Sequence, residues 1–193
     1  MTDRHQMNRL FTLAATLVLA VAPLVARADP AGDVRRAGEK FAQLKYFHAT
    51  MTSRGVVSQV DCAAPDRYKV TTPAAMGTSY IIGTMMYVNA GGHYMSLRMP
   101  GLTAMMGYLR TPAQASKFAA THQIKDLGPS SVDGVAVHAY GFDDTSHGIT
   151  THDVLDVGQA DGLPHRMTVT GSQGPTVINY SRFNVPVTIN APH

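Results

Sequence analysis

From Tyr46 onward the apolar residues of this chain recur with a period of two, in segment after segment, each closed by a turn sequence. Phe47, Ala49 and Met51 alternate with His48, Thr50 and Thr52. Gly55 then turns the chain into VVSQVDC, and RYKVTT sets Tyr68 and Val70 on one face against Arg67, Lys69 and Thr71. Such alternation places one face on a core and the other in water, as in antiparallel strands. SYIIG, TMMYVN and HYMSLRM follow, and Ala90-Gly91-Gly92 between the last two supplies the positive φ of a tight hairpin. Further on, IKDLG, SSVDG, VAVHAYGF, DDTSHG, ITTHDVLDV, GQADGLP, HRMTVTG and TVINYSRF alternate strand with turn, and VPVTINAP reads as a closing strand. The chain must therefore fold around a long antiparallel meander.

Two segments break the pattern. Between Asp33 and about Lys45, Val34, Ala37, Phe41 and Leu44 recur at steps of three and four, the spacing of an amphipathic helix with one buried stripe. In the middle of the chain, Thr111 caps a helix that begins at Pro112 and runs through PAQASKFAATHQ. Just before it, MPGLTAMMGYLR is apolar without periodicity, as expected of a loop or short helix covering apolar surface. The fold class is α+β.

The N-terminus carries Arg4 and Arg9, an apolar run LFTLAATLVLAVAPLVA interrupted by Pro23, and Ala26-Arg27-Ala28 before Asp29. This is the pattern of a secretory signal peptide over residues 1–28, cleaved after Ala28, and residues 29–193 then form a single domain. No cysteine sits near that cleavage site to take a lipid, so the expected product is soluble in a bacterial periplasm. Arg4, Arg9, Arg27 and Asp3 leave with the leader, which brings the net charge from +3 to about +1. No cluster of basic and aromatic residues marks a nucleic-acid surface. Cys62 is the single cysteine, excludes an internal disulfide, and is expected to be buried.

The chain contains no G-x-S-x-G, H-E-x-x-H, phosphate-binding glycine loop or C-x-x-C, and it reads as a non-enzyme without a cofactor. Asp143, Asp144, His147, His152, Asp153 and Asp156 form the densest polar constellation, but Asp143 to Gly148 has the composition of a turn and His152 and Asp153 point to opposite faces of a strand. No metal is expected there. Seven methionines lie between Met76 and Met106. Thioethers select Cu(I), and His93 and Met95 would share a strand face, yet Met85 and Met86 must diverge and M-x-M ladders are missing. Flexible methionine surfaces also serve proteins that accept variable apolar partners.

QLKYFHATM after the first helix, RYKVTT after a proline, the hairpin YVNAGGHYM, the middle helix, DLGPSSVDGVAVHAY and DGLPHRMTVTGSQGPTVINYSRFNVPVTINAP together resemble the LolA-like superfamily of periplasmic lipoprotein carriers and lipid-binding relatives. The resemblance covers nearly the whole mature chain. The carrier proper has an arginine before the proline of its third strand, where this chain has Ala64, and it has strand tryptophans, of which this chain has none. The chain thus resembles a divergent member.

The resemblance implies a strongly curved antiparallel sheet forming an unclosed β-barrel, with the N-terminal helix and a middle helical lid over its concave face. It implies a cavity for acyl chains of a lipid or lipoprotein, filled from or emptied to a membrane-bound donor or acceptor protein on the way to the outer membrane. In that frame the cavity lining is expected from Phe41 and Leu44 of the helix and from Phe47, Met51, Tyr68, Val70, Met86, Val88, Met95 and Leu97 of the strands. Met99, Leu102, Met105 and Met106 would line it from the lid. One other reading shares the frame, an envelope sensor or structural module that binds a protein partner; copper binding through methionine and histidine is a separate reading of the residues themselves. The leader makes a direct prediction: N-terminal sequencing of the protein recovered from a periplasmic fraction should begin at Asp29, and a chain still carrying residues 1–28 would refute it.

Overall fold

The computed structural model describes residues 29–73, 77–100, 111–146 and 148–192. Asp29 caps the first helix, α1 (Pro30–Ala42), its side chain accepting from the Gly32 N–H at 3.0 Å, with proline in the first turn where its missing N–H costs nothing. The second, α2 (Pro112–Thr121), starts on a reciprocal cap in which the Thr111 hydroxyl accepts from the Gln114 N–H and the Gln114 side chain from the Thr111 N–H. Among the described residues no helix is long and apolar enough to cross a membrane.

The strands are β1 (Tyr46–Ser53), β2 (Val56–Ala63), β3 (Arg67–Thr71), β4 (Thr78–Ile82), β5 (Met85–Ala90) and β6 (His93–Arg98), then β7 (Lys125–Val132), β8 (Val135–Ser146), β9 (Ile149–Gly158), β10 (Pro164–Gly171) and β11 (Gly174–Ser181). They form one antiparallel sheet in the order β6-β5-β4-β3-β2-β1-β11-β10-β9-β8-β7. Two meanders are therefore joined by the β1–β11 pair, and β6 and β7 remain as edges. The sheet is not closed, and the architecture is the α+β unclosed barrel that the resemblance implies.

Register assigns the faces. Phe47 faces Cys62, Cys62 faces Tyr68, Tyr68 faces Ile81, Ile81 faces Met86 and Met86 faces Leu97, so one row of inward side chains crosses six strands. Phe41, Leu44, Phe47, Cys62, Tyr68 and Ile81 make one buried cluster, with Cys62 fully enclosed. Val34, Ala37, Phe118, Tyr140, Phe142, Leu155 and Val157 make a second beneath α2. The stripe of α1 reaches both, with Val34 and Ala37 in one cluster and Phe41 in the other.

The structure departs from the sequence reading in four places, the first at SSVDG, where β7 runs on to Val132 and the turn is only Asp133 and Gly134, both at positive φ. VPVTINAP is not a strand: β11 stops at Ser181, Arg182 and Asn184 adopt positive φ of 52° and 56°, and Pro186 has no N–H to give a ladder. The segment instead lies against β3, where Arg67 donates to the Ile189 carbonyl at 2.8 Å. Helix α1 ends at Ala42, so Leu44 reaches the core from the connection. Strand β8 runs on through Asp143 to Ser146, which leaves only residues 147 and 148 between it and β9.

The two helices touch at Gly38, where an added Cβ would stand 2.7 Å from the Cβ of Ala115. Glycine inside a helix ordinarily costs about 0.5–1 kcal/mol relative to alanine, so only close approach justifies it. Gly38→Val is expected to lower stability by roughly 1–3 kcal/mol by overpacking this contact. Denaturant unfolding checks it; a variant as stable as the parent would show that the helices are free to separate.

Candidate functional site

Between the two core clusters, where α1 and α2 lie over β9, β10 and β11, the interior does not close. A cavity of about 250 Å³ remains. Its roof is Val34, Gly38 and Phe41 of α1 with Ala115 and Phe118 of α2. Its floor is Leu155 of β9, Pro164, Met167 and Val169 of β10, and Ile178 and Tyr180 of β11. Met167 pairs with both Ile178 and Leu155, so three strands contribute one continuous apolar row. Gly38 contributes by lacking a side chain. An apolar cavity of ~150 Å³ stays dry and takes a benzene-sized guest, so this one accommodates a longer hydrocarbon.

Of the fourteen residues expected to line a cavity, Phe41 lines this one. Leu44, Phe47 and Tyr68 are packed in the first core cluster, Tyr68 at 2% exposure, and Met86 packs against it. Met51, Val70 and Val88 are half-buried on the same concave face. Met95 and Leu97, at 56% and 51% exposure, and Met99 are exposed toward the β6 edge. Leu102, Met105 and Met106 lie outside the described residues. The sequence reading missed Leu155, Met167, Val169, Ile178 and Tyr180. The alternations HRMTVT and TVINY carried them, but nothing local separates a cavity floor from a packed sheet.

Polar groups border the apolar space. The Tyr180 ring packs edge-on to Phe41 and Phe47, with centroids 5.2 and 6.0 Å away, and burial pushes its hydroxyl up to about 12. Burial, and then the hydrogen bond it donates to Asp33 at 3.0 Å, holds the Tyr140 phenol well above the usual tyrosine range. His122 stacks on Phe118 at 4.1 Å and donates through Nδ1 to the Phe118 carbonyl at 2.9 Å, fixing the end of α2. The acidic constellation is divided between the faces of the sheet. Asp143 pairs with His152 at 2.6 Å and Asp156 with Arg166 at 2.8 Å on the convex side, while Asp153 turns inward. His147 lies outside the described residues. Among the described residues no three His, Cys, Asp or Glu side chains are grouped to hold a metal ion.

No protein-family profile and no curated protein matches this sequence. Solved structures match it by fold. The lipoprotein LppX of Mycobacterium tuberculosis superposes with a TM-score of 0.65 over 84% of this chain and 100% of its own, at 14% identity. LprF of Mycobacterium bovis gives 0.60 over 84% of this chain and 96% of its own, at 16% identity. MucB gives 0.51 at 16% identity, with 87% of this chain matched to 62% of MucB. The chain shares the fold of LppX and LprF at low sequence identity.

The buried tyrosines give a pH test. A phenol whose folded pKa is raised favours the native state below its unfolded pKa, and that advantage is lost as pH rises. For Tyr180, moved from 10.0 to about 12, the loss falls between pH 10 and 12, amounting to roughly 2–3 kcal/mol. Ultraviolet titration should show phenols that ionise only near unfolding; complete ionisation of all tyrosines near pH 10 in folded protein would refute the burial.

Proposed function

We propose that the mature chain is a periplasmic binding or carrier protein that holds acyl chains of a lipid or lipoprotein between its helices and its curved sheet, and carries them toward the outer membrane. The observation that supports it most is the apolar cavity of about 250 Å³ under a two-helix cover, with hydrocarbon on roof and floor. Each methylene moved there from water contributes about 0.8 kcal/mol, so eight supply roughly 6 kcal/mol without polar recognition. LppX, a lipoprotein by its description, shares the fold.

Transfer requires a membrane-bound donor or acceptor, and the exposed Met95 and Leu97 beside the unpaired edge of β6 suit a contact with one. That edge also suits the second reading, in which the protein is an envelope sensor docking a partner with its cavity unused.

Native mass spectrometry of protein purified from a periplasm, before and after organic extraction, separates the two. The carrier reading expects co-purified mass matching a fatty acid or phospholipid that extraction removes and added lipid restores. Met167→Lys should weaken that uptake by about tenfold or more, because the ammonium would sit in the hydrocarbon floor. A clean mass that takes up no added lipid would sink the carrier reading.

A further inference from the structure

The convex face of the first meander, on the far side of the sheet from the helices and the cavity, has a character of its own. Tyr80 on β4 stands opposite Lys69 on β3 and Tyr87 on β5, and Arg98 on β6 stands opposite Met85. Alternate residues of a strand share a face, so these side chains lie on the side away from Tyr68, Ile81 and Met86, which belong to the core. Tyr94 joins them from β6, its ring edge-on to that of Tyr80 with centroids 5.7 Å apart. Tyr80, Met85, Tyr87 and Tyr94 are half-buried and Arg98 is exposed, so the rings and the thioether reach solvent on a flat strip with cations at its borders.

The charge of this strip has one sign. Residues 67–98, which supply all of β3 to β6, include Arg67, Lys69 and Arg98 and no acidic residue. Arg67 donates to the Ile189 carbonyl, whereas Lys69 and Arg98 meet no carboxylate among the described residues. Asp61, across β2 from Lys69, is hydrogen-bonded to His48 at 2.9 Å. The rest of the sheet is the reverse. Residues 46–98 carry four bases and two acids, a net charge of +2, and residues 125–181 carry two bases and seven acids, a net charge of −5. A molecule divided in this way is turned by an anionic surface, which draws the first meander toward it and pushes the second away.

We propose that the convex face of β3 to β6 is the surface by which the protein lies on an anionic lipid bilayer. Tyrosine rings settle among lipid head groups with the hydroxyl in water, and Lys69 and Arg98 meet the phosphates around them. A sugar polymer would need fixed amides or carboxylates for its hydroxyls. The one side-chain amide in residues 67–98, Asn89, already accepts from the Gly92 N–H at 2.9 Å. Docked this way, the protein brings the β6 edge, with exposed Met95 and Leu97, down to the head groups. The inference does not depend on what the cavity holds.

The test floats mature protein at low salt with vesicles of phosphatidylglycerol and phosphatidylethanolamine in equal parts, or with vesicles of phosphatidylcholine. Binding to the anionic vesicles should be tighter by about tenfold or more and should fall as salt is raised. Lys69→Glu with Arg98→Glu should remove that preference. Lys117→Glu with Lys125→Glu makes the same change in net charge elsewhere on the molecule and should leave it near that of the parent. The chain has no tryptophan, so Tyr87→Trp introduces a single reporter, whose emission should shift to the blue on anionic vesicles. Thermal melting confirms that each variant is folded, and the reporter alone decides the matter if a charge variant is not. Equal binding to both vesicles, binding to neither, an equal loss from both charge pairs, or an unshifted reporter on floated protein would overturn the proposal and leave the acyl cavity standing. Protein that ignores vesicles but sediments with an insoluble cell-wall glycan would overturn it in favour of a sugar polymer.

Discussion

One helix holds the two halves of this molecule to a common interior. Eleven strands side by side span roughly 50 Å at the usual spacing of 4.8 Å, while the thirteen residues of α1 measure roughly 20 Å. A flat sheet could not be covered by such a helix. The sheet has to bend until both meanders reach it, and the stripe of Val34, Ala37 and Phe41 is where they arrive. The second helix can join the cover because Gly38 lets Ala115 come close. Each half packs its own cluster, and the interior stays open along the line between them, above β10 and β11. The cavity is what remains when two cores are sealed by a cover too short to merge them.

The concave face also changes character along its strands. At one end stand Phe47, Cys62, Tyr68 and Ile81. At the other are Ser53 hydrogen-bonded to Thr176, Ser58 to Thr72, and the inward Asp153. A guest with one apolar and one polar end can lie in only one direction on such a surface. This directionality suits the carrier reading, since a slot that was oily throughout would hold its guest without orienting it.

Much of the scaffold could be read from the sequence because it is fixed locally. The cap at Thr111, the Gly91-Gly92 turn with φ of 64° and 94°, and the alternation through Phe47, Tyr68 and Met86 are each settled within a few residues. The end of β11 was not, because Arg182 and Asn184 take a left-handed backbone that their side chains do not announce. The cavity was harder still. Met167, Ile178 and Leu155 meet through pairings with no local trace, and their strand patterns match those of Phe47 or Ile81, which are solid core. The conspicuous methionines drew attention to the other meander, and the quieter Met167 sits on the cavity floor.

The pairing of β1 with β11 means that the strand finishing the middle of the sheet is nearly the last part of the chain to be made. Most folds grow outward from their centre; here the two flanks are encoded first and the seam between them last, at a sequence separation close to the full length of the domain. Loop closure over that distance has to be met before its contacts reward it. A chain emerging N-terminus first therefore lacks a complete sheet until residues 174–181 are free. The two meanders can pair their own strands as they emerge, but the cavity over β9, β10 and β11 has no complete floor before then.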